Sequence, residues 1–157
     1  MLTDDGPRVV EFNCRFGDPE TQAVLPVTRL SMPFVELLAA VARGERIPEN
    51  TAVWASGAAV TTVLAAQGYP EKPLTGTPIQ IPNDIEDVLV FHAGTSRSSA
   101  GQLVSSGGRV LGVTGLGASF EAAQRRSRDV ATRIVFEGKQ FRSDIGWREV
   151  ERGARAS

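Results

Sequence analysis

Glu11, Asn13 and Arg15 stand at alternate positions in the run Glu11-Phe12-Asn13-Cys14-Arg15-Phe16-Gly17-Asp18-Pro19-Glu20-Thr21-Gln22. Successive side chains of a strand point to opposite faces, so a strand over Val9–Phe16 puts a carboxylate, an amide and a guanidinium in one row. Val10, Phe12, Cys14 and Phe16 then form an apolar row on the other face, where Cys14 is expected to be a buried structural cysteine. Residues two apart on a strand lie roughly 7 Å from one another. At that spacing Glu11 and Asn13 can offer oxygens to divalent cations, with Arg15 one step along to hold phosphate oxygens. Hard oxygen ligands beside a cation for phosphate are what magnesium–nucleotide chemistry requires.

This run resembles the signature segment of the glycinamide ribonucleotide synthetase (phosphoribosylamine–glycine ligase) family, ATP-grasp enzymes of purine biosynthesis. Three later blocks resemble the C-terminal domain of the same family, in the same order. They are Phe91-His92-Ala93-Gly94-Thr95, Gly107-Gly108-Arg109-Val110-Leu111 and Asp144-Ile145-Gly146-Trp147-Arg148. The likeness covers the chain from about Val9 to Arg152.

The resemblance implies a two-step, ATP-dependent ligation that takes glycine and 5-phosphoribosylamine to glycinamide ribonucleotide, ADP and phosphate, by way of glycyl phosphate. It implies Mg2+ (or Mn2+) held by Glu11 and Asn13, with Arg15 stabilising phosphoryl oxygens. Asp18, His92, Thr95 and Arg109 are implied contacts for substrate and its phosphate, Thr95 through its hydroxyl and Arg109 through a bidentate fork. For His92 the residue type by itself favours a satisfied structural histidine, and it is the resemblance that implies a substrate contact. For Asp18 and Glu20 the alternative is helix capping and dipole complementation, with Asp18 as N-cap and Pro19 at the first helical position.

The elements that must position these groups read as follows. A helix is expected over about Pro33–Arg43, from Phe34, Leu37, Leu38 and Val41 at helical spacing and Gly44 after them. The polar stretch Arg43–Asn50, containing Pro48, reads as a linker. Ala58–Ala66, Val88–Phe91, Gln102–Val104 and Arg109–Val113 read as short strands between turn-forming clusters. One helix from about Ser119 to Val135 then covers them, with Arg125, Arg126, Arg128 and Arg133 as a solvated face. Trp147 is expected to anchor the C-terminus by packing. The fold class is α+β. Residues 1–47 are expected to be the C-terminal remnant of an ATP-grasp domain. Residues 48–152 form a small mixed β domain of short antiparallel strands with a covering helix, and 153–157 a frayed tail.

Length and composition bound the rest. With 157 residues there is chain for one core and an appendage rather than a complete multidomain ligase. A formal net charge of −1 gives no electrostatic case for nucleic acid or membrane as partner. One cysteine and one histidine make neither an internal disulfide nor a Cys/His zinc site. A cytoplasmic setting is expected. In the family the signature lies more than halfway along the polypeptide, whereas here it begins at Glu11. The chain is therefore expected to be a C-terminal portion, inactive alone, whose partner is the missing N-terminal portion of the ligase. The alternative is a non-catalytic metabolite-binding or interaction module.

Overall fold

Side chains along Ala58–Ala65 alternate between buried and half-buried, so this run has a core face and a second face that is also largely covered. The computed structural model describes residues 1–3, 5–12 and 14–156. In chain order its elements are β1 (Leu2–Thr3), β2 (Gly6–Pro7), α1 (Glu20–Val27), β3 (Thr28–Leu30), α2 (Phe34–Ala42), β4 (Val53–Ala55) and β5 (Ala58–Ala65). There follow β6 (Val88–His92), β7 (Thr95–Arg97), β8 (Leu103–Ser105), β9 (Arg109–Gly117), α3 (Phe120–Arg133) and α4 (Trp147–Ala156). None of the described helices is long and apolar enough to cross a membrane.

β9 is the centre of the molecule. It pairs antiparallel with β5 on one side and β6 on the other, giving the order β5-β9-β6. Helix α3 covers one face. Its Ser127 hydroxyl donates to the Val113 carbonyl at 2.8 Å and shares a hydrogen bond with Thr62 Oγ1 at 2.7 Å. Helix α1 covers the other face, where Thr114 Oγ1 donates to the Gln22 carbonyl at 3.1 Å and meets Thr61 Oγ1 at 2.7 Å. Leu64, Val110, Leu111, Val113, Val130 and Ile134 make the core between the sheet and α3. Close approach of α3 depends on Gly115, because a Cβ there would lie 2.2 Å from the Ala123 carbonyl oxygen. Ser119 caps α3, accepting from the Ala122 N–H at 3.2 Å as its residue type predicts. At the other end Lys139 Nζ donates to the carbonyls of Ala131 (2.7 Å), Thr132 (2.9 Å) and Ile134. These are the carbonyls a helix terminus leaves over, and partial burial there lowers the ammonium's pKa.

Outside the central sheet, β3 pairs with β4 across the excursion that contains α2 and the 43–50 linker. β7 and β8 form a hairpin. The strands expected in the second half of the chain are present within a residue or two, although β9 runs on to Gly117. The helix expected over Pro33–Arg43 is α2.

Several expectations are corrected. Val9–Phe16 is not a strand; the described residues there are open chain and bends. Val10 is 70% exposed and Phe12 88% exposed, because the apolar row finds no sheet among the described residues to pack on. Cys14 is exposed for the same reason. Asp18 does not cap α1: Pro19 occupies the N-cap, with no side-chain cap bond, because the Asp18 side chain is engaged elsewhere. The C-terminal tail is helical to Ala156, and Trp147 is 42% exposed with the Arg148 guanidinium carbon 5.3 Å from its ring centroid rather than packed away. Nor is the arginine face of α3 merely solvated. Arg126 pairs with Asp87 at 2.8 Å and Arg133 with Asp84, tying the segment before β6 to the helix.

Candidate functional site

The segment that carries Glu11 and Arg15 leaves the domain through a short series of anchors. Arg15 is exposed and donates through Nη1 to the neighbouring Phe16 carbonyl at 2.8 Å. The Phe16 ring lies 6.3 Å from that of Phe34, at the start of α2. Asp18 follows, and three donors converge on it. Gln22 Nε2 donates to Oδ1 at 3.0 Å, one helical turn on. Arg109 reaches Oδ2 with Nη2 at 2.9 Å and the Asp18 carbonyl with Nη1 at 3.2 Å, across 91 residues of sequence.

Arg109 reaches Asp18 because of a defect in the sheet. Leu64 pairs with Leu111, but the next residue of β5, Ala65, pairs with Arg109. The skipped Val110 turns into the core together with Leu111. Strict alternation would put Arg109 on the α3 face with Leu111 and Val113. The bulge moves it to the α1 face instead, which is a common use of the device beside functional sites.

β6 brings in the remaining groups. His92 ends the strand, and its Nδ1 lies 3.0 Å from Thr95 Oγ1. Between them Gly94 donates its N–H to the Arg109 carbonyl at 2.8 Å and accepts from Ser106 N–H at 2.8 Å. A Cβ at Gly94 would fall 2.7 Å from that carbonyl oxygen, so the residue must be glycine for the two strands to close here. Asp18, Gln22, Phe91, His92, Arg109 and Gly112 then line one small cleft. It adjoins an open, mostly apolar cleft of about 640 Å³ lined by Phe16, Asp18, Thr21, Gln22, Leu25 and Phe91.

The expected site residues thus fall into two groups. Asp18, His92 and Arg109 meet in the cleft, and Thr95 is attached to it through His92. Glu11 and Arg15 lie on the open segment. Asn13 lies outside the described residues. Among the described residues no three His, Cys, Asp or Glu side chains form a cluster that could hold a metal ion. The Glu11 carboxylate is the hard donor magnesium prefers, and magnesium is commonly held by one or two protein oxygens plus substrate phosphates. The donor chemistry fits; the strand that would align the donors is not formed. Gln22 and Phe91 were missed as site residues. The signal for Gln22 was its place four residues after Asp18. Its Oε1 is buried and has no hydrogen-bond partner among the described residues.

Comparison with known proteins gives consistent matches. The family model for the phosphoribosylglycinamide synthetase C domain matches residues 59–148. A phosphoribosylamine–glycine ligase from Caulobacter vibrioides is 46% identical over 153 residues, covering 96% of this chain and 35% of that protein. One from Mycobacterium bovis is 49% identical over 150 residues, covering 96% and 34%. The crystal structure of phosphoribosylamine–glycine ligase from Thermotoga maritima superposes with a TM-score of 0.76 at 38% identity, over 93% of this chain and 35% of that one. The chain therefore spans about a third of the length of the curated relatives it matches.

Proposed function

Since this chain belongs to the phosphoribosylglycinamide synthetase C-domain family, we propose that it is the C-terminal part of a phosphoribosylamine–glycine ligase of purine biosynthesis, working in the cytoplasm together with the segments that make up the rest of its relatives' length. In the reaction a glycine carboxylate oxygen attacks the γ-phosphorus of ATP, giving glycyl phosphate and ADP. The amine of 5-phosphoribosylamine then attacks the acyl carbon, forming the amide and releasing phosphate. No side chain of this chain need become covalently attached.

Residues 1–47 are read as the end of an ATP-grasp domain, 48–152 as the C-terminal domain and 153–157 as its tail. Glu11 and Asn13 would hold Mg2+ or Mn2+, which when bound neutralises charge on the transferred phosphoryl group. Arg15 would turn from the Phe16 carbonyl to phosphoryl oxygens. Of the four groups that the resemblance assigns to the ribosyl amine and its phosphate, His92 and Thr95 keep that role, while Asp18 and Arg109 lie beside them bound to each other. The exposed apolar side chains Val9, Val10 and Phe12, with Val35 and Val41 on α2, are read as the seat of the remaining ligase segments.

The observation that carries this reading is the convergence of separate blocks. The run around Asp18, the His92–Thr95 turn and the Arg109 strand meet through the Asp18–Arg109 pair and the Gly94–Arg109 backbone bond. A chimaera in which this chain replaces the matching 35% of the Caulobacter vibrioides ligase tests it. Sustained ADP release is expected to require both glycine and 5-phosphoribosylamine, which consumes the glycyl phosphate before the next turnover. The chain alone should release none, because rate gain depends on positioning the whole set. A soluble chimaera with no substrate-dependent ADP release, or substrate-dependent release by the chain alone, would refute the assignment.

A further inference from the structure

Asp18 and Arg109 were both expected to face a substrate phosphate, yet in the structure they face each other. A carboxylate is a poor phosphate ligand, since two anions repel. Both carboxylate oxygens of Asp18 are also engaged: Oδ2 and the carbonyl accept from Arg109, and Oδ1 accepts from Gln22. Gln22 is in turn tied to the sheet by Thr114. This network joins the chain at Asp18, two residues past the Glu11–Phe16 segment, to β9 at a point where the bulge has turned Arg109 to meet it.

We propose that Asp18 and Arg109, backed by Gln22, form a positioning clamp that fixes where the Glu11–Phe16 segment leaves the domain, and that Arg109 acts on the metal-binding end of the site through Asp18 rather than by touching substrate. The consequence for metal binding rests on the ligase reading above; the clamp itself does not. Arginine suits such a clamp because its planar guanidinium presents donors in a fixed fork on a longer reach, whereas a lysine ammonium is a compact charge without that fixed geometry.

Two measurements test this. Cys14 is the chain's single cysteine and is exposed, so the native chain takes one nitroxide on the segment itself. In the 157-residue chain, Asp18→Asn and Arg109→Met are each expected to narrow the nitroxide spectrum by freeing the segment. The double variant should free it no further than Arg109→Met alone, since that change removes both the carboxylate and the carbonyl bond. Spectra unchanged by either variant would overturn the clamp, whatever the chain's function. In the chimaera, each variant is expected to raise the magnesium concentration for half-maximal rate by about tenfold. Half-saturation by 5-phosphoribosylamine should stay fixed, and Arg109→Lys should recover only part of the loss. A selective rise in the half-saturating 5-phosphoribosylamine for Arg109→Met, absent from Asp18→Asn, would overturn the proposal by making Arg109 a substrate contact. A chimaera inactive before any substitution, with the spectra behaving as described, would count against the ligase reading alone and leave the clamp standing.

Discussion

Glu11→Ala in the chimaeric ligase is expected to lower magnesium-dependent ligation by at least about a hundredfold, close to 3 kcal/mol of barrier, while the thermal midpoint stays within experimental error. The two halves of this expectation have different origins. Glu11 is exposed on open chain, so removing its side chain empties no core position. A metal ligand, by contrast, acts on every charge that develops at the transferred phosphoryl group. Rates measured across a magnesium titration are the check. Turnover close to that of the parent at limiting magnesium would remove Glu11 from the metal site.

Gly115→Ala is expected to cost about 3 kcal/mol or more of stability. The added Cβ would lie 2.2 Å from the Ala123 carbonyl oxygen and 2.4 Å from the Ser127 nitrogen, and both are helix backbone that cannot rotate away. The whole of α3 must lift, carrying Ala123 and Val130 off the sheet. Gly112→Ala on the same strand is the control. Its Cβ would meet Thr61 Cγ2 at 3.7 Å and Phe91 Cβ at 3.8 Å, which is ordinary contact. That change is expected to stay within about 1 kcal/mol of the parent. Urea unfolding of the two variants separates the cases, and equal midpoints would contradict the helix-on-glycine packing described for α3.

Much of the second half of the chain was legible because its signals are local. The alternation in Ala58–Ala65, the Ser119 cap and the helical spacing from Phe120 to Ile134 each need no distant partner to be read. Val9–Phe16 shows the limit of that reasoning. Alternation there predicts a strand, but a strand is defined by its neighbours, and the described residues supply none. Asp18 fails in a related way. Its type and place before Pro19 and Glu20 suit a cap, and its partner Arg109 lies 91 residues away, beyond any local pattern. Arg109 adds a second obstacle, since strict alternation puts it on the wrong face of β9 and a bulge invisible in the sequence corrects it. The cleft residues Asp18, His92 and Arg109 were found through family resemblance, whereas their mutual geometry was not.

Hydrogen exchange over Val9–Phe16, measured on the chain alone and on the chimaera, tests the central claim that this chain is one part of a ligase completed by other segments. Alone, as a proven monomer, its amides are expected to exchange at close to the rates of an unstructured peptide, because the described residues there are open chain. In the chimaera the same amides should be protected by a hundredfold or more, about 3 kcal/mol of opening energy, as the alternating run gains strands on either side. Slow exchange in the monomeric chain alone, or exchange as fast in an active chimaera as in the isolated chain, would contradict the account.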